Sequence, residues 1–229
     1  MTNPFQVVKD FEAALCDYTG APYCVTTTSC TMALLLAVAW WMRGEAEWPT
    51  AKSSHERELK SNLQIEIPKR TYVGVPMSII HAGGRPTFRD EDWIGMYELK
   101  PLNIWDSARW LAGRIWEHPH PGPERNQQMI CLSFHWAKHC GIQQGGAILH
   151  ADKAADKWLR MARFDGRQEG VHPKDQKHWI VGHHAYMSPE TAAAGLVRLA
   201  LLPQNNAPLP WGPGTDSDYP DLSKMEIFR

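Results

Sequence analysis

The sequence predicts an α/β layered fold, and three observations carry that prediction. Short β-prone runs alternate with helix-length amphipathic segments along most of the chain. Several of those runs end in hydroxyl or ionisable residues, where an open α/β sheet presents its binding groups. The 229 residues are 43% hydrophobic and 21% charged, enough apolar material for one compact domain with a sizeable core.

Taken in order, Phe5, Val8, Phe11 and Leu15 recur at helical spacing, and Gly20 and Pro22 stop that first amphipathic helix. Residues 23–26 form a short β-prone run, 27–31 a polar turn, and 32–43 a helix apolar on nearly every face. Residues 44–61 are polar and charged and are expected to make a surface excursion. Residues 63–67 alternate as a strand and stop at Pro68; 73–82 read as a helix with Pro76 in its first turn; 86–90 read as a strand after a glycine turn. Residues 102–106 are a strand ending in a carboxylate, with a helix-compatible segment at 107–111. Prolines and histidines make 117–126 a loop, while 129–134 and 145–149 are strands and 152–163 a helix. Ser188 as cap and Pro189 in the first turn open a helix running to Leu202. Beyond it, 203–229 reads as an extended or mobile tail.

A formal charge of -1 gives no global pull toward nucleic acid or anionic membrane, so neither is a favoured partner. Five irregularly spaced cysteines without a CxxC pair argue against a disulfide framework and a cysteine-rich zinc site, and fit a reducing compartment. The apolar run 32–42 is too short to span a bilayer, and no secretory leader is legible at the start. A cytoplasmic location is therefore expected. His135 with His139, and His183 with His184, lack a companion carboxylate or cysteine at ligand spacing, so no metal is expected. Trp40, Trp41 and Trp158 read as core or interface; Trp105, Trp110 and Trp136 flank the candidate site and could wall it.

The chemistry-bearing residues form one pattern. A lysine acting through an imine needs its amine partly unprotonated against a carbonyl, and an acid at the far end of a pyridine ring keeps that ring protonated as an electron sink. Asp106 and Lys138 follow two different strands and suit those two roles. Ser29, Cys30 and Thr31 at a helix start, with Ser133, offer hydroxyls and amides to a phosphate. Read singly, each has a plainer use: Lys138 as a solvated surface group, Asp106 as a helix cap, Ser29 and Thr31 as turn residues, Tyr72 as packing.

Five segments in order resemble the DegT/StrS family of pyridoxal-phosphate sugar aminotransferases, of fold type I. Ser29-Cys30-Thr31-Met32-Ala33-Leu34 resembles its Ser-Gly-Thr-x-Ala-Leu turn, and Pro68-Lys69-Arg70-Thr71-Tyr72 with Ile80 to Asp90 its proline-to-aromatic segment and following strand. Trp105-Asp106-Ser107-Ala108 is similar to Glu-Asp-x-Ala, and Ser133 to Lys138 with Gly145-Gly146-Ala147 to Ser-Phe-x-x-x-Lys and its glycine pair. Gly182 to Met187, followed by Ala192 to Leu196, resembles Gly-x-Asn-x-Arg-Met and its helix.

The resemblance covers most of 5–202. It implies a three-layer α/β/α large domain at 1–202, a largely missing C-terminal small domain, and an extended tail at 203–229. It implies pyridoxal 5'-phosphate joined as a Schiff base to Lys138, Asp106 on the pyridinium nitrogen, and Tyr72 stacked on the ring. Cys30, Thr31 and Ser133 are implied on the phosphate, Arg109 near the phenolic oxygen, and a homodimer in which the 182–186 loop, with His184, reaches the neighbour's phosphate. The reaction implied is transamination from a small amino donor to a keto-sugar or related small acceptor. A decarboxylase or lyase acting on an amino acid attached to a larger carrier, such as a modified nucleic-acid base, is the second expectation; a non-catalytic partner protein is the third. Three positions depart from the family pattern: Cys30 replaces a glycine, Arg109 a glutamine or histidine, and His184 an asparagine. The stretch between Asp92 and Leu102 is also shorter than the family's.

Overall fold

A computed structural model describes residues 3–43, 63–119, 123–212 and 218–228. The surface excursion expected at 44–61 lies outside the described residues.

Helix α1 (Gln6–Thr19) buries Val8, Phe11, Leu15 and Tyr18 on one face. It ends where Gly20 takes a left-handed conformation and returns its amide to the Cys16 carbonyl. Strand β1 (Tyr23–Thr27) and helix α2 (Cys30–Arg43) follow, then β2 (Gln64–Pro68), α3 (Gly74–His81) and β3 (Arg85–Arg89). β2 and β3 pair in parallel with α3 as the crossover, a small βαβ unit tied to the main sheet by a bridge from Glu66 to Lys100. Among the described residues the remaining strands are β4 (Tyr97–Leu99), β5 (Ile104–Ser107), β6 (Met129–Ser133) and β7 (Gly146–His150), and the remaining α-helices are α4 (Lys153–Arg163) and α5 (Pro189–Ala200).

The main sheet runs β1-β7-β6-β5-β4, with only the β5/β6 pair parallel. Strand alternation sorts its side chains into two cores. Cys24, Ile130, Leu132, Ala147 and Leu149 join the α1 and α5 side, while Val25, Ile104, Met129, Cys131 and Ile148 join the α2 and α4 side. The result is helices on both faces of a sheet, as the three-layer expectation required. Gly195 lets α5 lie directly on α1, since a Cβ there would fall 2.5 Å from the Phe11 ring.

Two readings of the sequence are corrected. Residues 107–111 are not helical, because the Asp106 carboxylate accepts from the Ala108 amide and the Ser107 hydroxyl donates to the Trp110 carbonyl, bonds that form a turn instead. The loop at 117–126 carries short 3₁₀ turns at its edges, Ile115–Glu117 and Pro123–Gln127.

Beyond α5 the chain runs back over the protein as a strap. The Pro203 carbonyl accepts from the Tyr18 hydroxyl, and the Gln204 carbonyl from Gly113. Asn206 caps the Leu111 carbonyl, and Trp211 stacks on Trp93 at 5.3 Å with its indole N–H on the Trp93 carbonyl. Two further 3₁₀ turns, Leu222–Lys224 and Glu226–Phe228, follow, with Leu222 bonded to the Lys69 carbonyl. Among the described residues no helix is long and apolar enough to cross a membrane.

Candidate active site

The site builds from the parallel pair β5 and β6, whose carboxyl ends lie side by side, with Asp106 opposite Cys131 and Ser107 opposite Leu132. Asp106 is buried. Its Oδ1 accepts from the Ala108 amide at 2.9 Å and its Oδ2 from the Tyr97 hydroxyl at 2.7 Å. Burial pushes the Asp106 carboxyl above the usual carboxylate value; the Tyr97 and Ala108 bonds and the charge of Lys138 oppose that rise without cancelling it. A cation brought against this group would offset the cost of burying its charge.

Lys138 follows β6 in a tight turn in which its amide donates to the His135 carbonyl at 2.8 Å. It is half-buried, and its charge is felt by Asp106, Cys30 and His139. His139 places Nε2 on the Ala207 carbonyl of the strap at 2.9 Å. Burial pushes its imidazole below the ordinary value, and the Arg109 and Lys138 charges add to that, against the pull of Ala207.

The α2 start closes the other side. Ser29 caps it, its hydroxyl accepting from the Met32 amide at 3.2 Å. Gly146 makes this possible, because a Cβ there would fall 2.4 Å from both the Ser29 carbonyl carbon and the Cys30 nitrogen. The Cys30 side chain, in place of the family's glycine, turns into the α2 core, and burial pushes its thiol well up, beside Asp106 and Cys131. Thr31 ties α2 to α3 through the Ser78 hydroxyl, 3.0 Å from its carbonyl. The Thr31 hydroxyl and the Tyr72 ring both border Gly74, where a Cβ would lie 3.1 and 2.8 Å from them. Tyr72 is otherwise exposed.

Ser133 is half-buried at the end of β6, opposite Gly146. Arg109 is buried, and its guanidinium donates to the strap carbonyls of Leu209 and Pro210. His184 is exposed, with Nδ1 3.1 Å from the Asp165 carboxylate; its neighbour Ala185 accepts from the Thr28 amide, which lays this loop along the end of β1. Cys30, Thr31, Tyr72, Asp106, Ser133 and Lys138 thus gather at the strand ends, Arg109 lies behind them under the strap, and His184 stands on the outer loop.

Sequence reasoning missed Tyr97, Thr71 and His139. Tyr97 is the cross-strand neighbour of Asp106, and its hydroxyl also meets that of Thr71 at 2.6 Å. Among the described residues no group of three His, Cys, Asp or Glu could hold a metal. A groove of about 610 Å³ lined by Lys9, Glu12, Tyr23, Asp156 and Arg160 contains none of the candidate residues, so reactive groups and not cavity volume locate the site.

The model of the DegT/DnrJ/EryC1/StrS aminotransferase family matches residues 1–94 and 125–208, well over half of the chain. Asp106, Arg109 and Tyr97 fall in the interval between the matched segments. No curated protein sequence matches the chain. Among solved structures, Helicobacter pylori PseC, an aminotransferase involved in the biosynthesis of pseudoaminic acid, is similar with a TM-score of 0.60 at 17% identity, over 85% of this chain and 57% of its own. The sugar aminotransferase CalS13 from Micromonospora echinospora is similar at 0.61 and 17%, over 85% and 60%. A 3-amino-5-hydroxybenzoic acid synthase is similar at 0.63 and 16%, over 86% and 56%. At these identities the likeness establishes the fold, and this chain spans less than two thirds of the length of each.

Proposed function

Because the chain belongs to the DegT/DnrJ/EryC1/StrS aminotransferase family, we propose that it is a pyridoxal-phosphate-dependent aminotransferase acting on a keto-sugar or related small acceptor. One observation carries this reading: a half-buried lysine and a buried carboxylate within electrostatic reach of each other at the ends of adjacent parallel strands.

The residues present fit the cofactor. Asp106 is a buried acid whose charge is incompletely compensated, as a partner for a ring-nitrogen cation should be. Tyr72 and the Thr31 hydroxyl, at the start of α2, border the same small space at Gly74. Bound there, pyridoxal phosphate would supply a protonated pyridine ring able to withdraw electrons from a reacting carbon.

Lys138 Nζ would be the attachment point for the cofactor and, once released, the group that takes and returns the substrate proton. The Asp106 carboxylate would favour a proton on the cofactor's ring nitrogen. Cys30 and Thr31 at the start of α2, with the Ser133 hydroxyl, would hold its phosphate, and the Tyr72 ring would pack against it. Arg109, fixed by the strap carbonyls, adds a positive charge behind Lys138 and His139. Residues 1–202 act as a reduced large domain and 203–229 as the tail that braces it.

The protein acts as a homodimer, with the 182–186 loop and its His184 directed to the other copy's phosphate; the exposure of Tyr72 and Trp136 supports a second copy over this region. It works in the cytoplasm, supported by five free cysteines. The test is spectroscopic. Protein supplied with pyridoxal phosphate should gain a visible absorbance that borohydride removes and that Lys138→Ala lacks. Colourless protein that takes up no pyridoxal phosphate would overturn the reading.

A further inference from the structure

We propose that Thr71 and Tyr97 form a buried hydroxyl relay that positions the Asp106 carboxylate, which makes Tyr97 a positioning residue for the reaction above. The proposal rests on that reading only for the purpose Asp106 serves; the relay itself is a property of the protein without cofactor.

The three side chains come from separate parts of the chain: Thr71 from the loop after β2, Tyr97 from β4 and Asp106 from β5. All are buried, at 1%, 2% and 5% exposure. A phenol at that depth is destabilising if its hydroxyl finds no partner. Here it finds two, Asp106 Oδ2 at 2.7 Å and Thr71 Oγ1 at 2.6 Å. The antiparallel register puts Tyr97 directly across from Asp106, and Trp93 holds the ring edge-on at 4.7 Å. Neither ring nor carboxylate has room to turn away.

The direction of donation follows from the acceptor. The ionised carboxylate only accepts, taking the Ala108 amide on Oδ1 and the Tyr97 O–H on Oδ2. The phenol oxygen is then left to accept from Thr71, so the two O–H bonds point the same way and each polarises the next. The other groups facing Asp106 are the Cys30 thiol from α2, the Cys131 thiol from β6 and Lys138 beyond β6. Both thiols are driven well up by burial and stay neutral. Against burial, the Tyr97 bond is the foremost force keeping the carboxylate charged, ahead of the Ala108 amide and Lys138.

The position of the relay adds to the case. Tyr97 and Asp106 lie in the interval that the family model does not match, where the chain forms a three-residue antiparallel edge strand. That strand brings a phenol onto the acid, while its Leu99 fills the core and its Glu98 carbonyl accepts from Arg89.

The experiment uses protein without cofactor. Asp106 is followed by ¹³C-carboxyl NMR in aspartate-labelled protein, its resonance assigned by its loss in Asp106→Asn. Tyr97→Phe should raise the Asp106 titration midpoint by about one pH unit, as loss of a hydrogen bond to a charged group implies. Thr71→Val should raise it by less, and Thr71→Ser should restore it. A midpoint unmoved in natively folded Tyr97→Phe overturns the proposal. Should Tyr97→Phe fail to fold, Thr71→Val decides: an upward move supports the relay and an unmoved midpoint overturns it. Shifted midpoints in a protein that takes up no pyridoxal phosphate would keep the relay and remove the cofactor reading, so the two fail separately.

Discussion

Glu12→Gln is expected to destabilise the protein by about 3 kcal/mol, a magnitude that follows from the most heavily bonded carboxylate in the structure. Glu12 is 4% exposed on α1. Its Oε1 accepts from Arg163, from the Thr26 amide at 2.9 Å and from the Thr26 hydroxyl at 2.8 Å, and its Oε2 accepts from Arg160 at 2.6 Å. Arg163, 1% exposed, also donates to the Thr26 carbonyl and to Glu169. Removing one partner of such a buried pair costs about 3–5 kcal/mol. The lower end applies, because Gln keeps an acceptor oxygen while Glu169 and Asp156 still face the two arginines. For a chain of this size that is a fall of about 6–12 °C in Tm at neutral pH, read by circular dichroism. Burial alone would push the Glu12 carboxyl up, but Arg163 and Arg160 outweigh it and hold the group below its ordinary value. A depressed carboxylate stabilises above its unfolded pKa and loses that contribution as pH falls through the folded one. The gap between Glu12→Gln and the natural protein should therefore be full at pH 7 and close in acid. A loss under about 2 °C, or a gap that widens in acid, would refute the reasoning.

Gly195→Ala should lower stability by about 1 kcal/mol although alanine favours helices, because its Cβ meets the Phe11 ring at 2.5 Å and overpacking outweighs the propensity gain. Adding Phe11→Leu should recover most of that loss in the same melting assay. Trp211→Ala removes the stack on Trp93 and the bond to its carbonyl, so hydrogen exchange at the Leu209 and Leu222 amides should accelerate at least about tenfold while β6 is unchanged.

What the sequence made legible was whatever rests on local periodicity. Phe11 and Leu15 announce α1, Ser188 and Pro189 announce α5, and the apolar run 129–134 announces β6, because each signal and its structure lie within a few residues. β4 was missed because three residues, one of them Glu98, are too few to display a period of two. The turn at 107–111 was misread because its side chains suit a helix, while the Asp106 carboxylate decides the matter by capturing the Ala108 amide. At the candidate site, motif order singles out Lys138 and Asp106, and the structure brings them within electrostatic reach of each other. The Tyr97 bond to Asp106 depends on cross-strand register, and the His139 and Arg109 bonds to the strap use backbone carbonyls, which any residue carries. Such contacts leave no mark in composition or spacing.

The strap also fixes when, during synthesis, the region around Arg109 and Trp93 can close. Arg109 waits for carbonyls 100 and 101 residues downstream, and Trp93 for an indole 118 residues away. Closing loops of that length is slow compared with folding α1 or the β2–α3–β3 unit, and it cannot begin until residue 211 has left the ribosome. In the interval a nascent chain holds β5 and β6 with Trp93, Trp110 and Arg109 uncovered. The surroundings of Lys138 are thus closed only after residue 211 has emerged, and until then the chain offers an aromatic and cationic surface that chaperones are suited to shield.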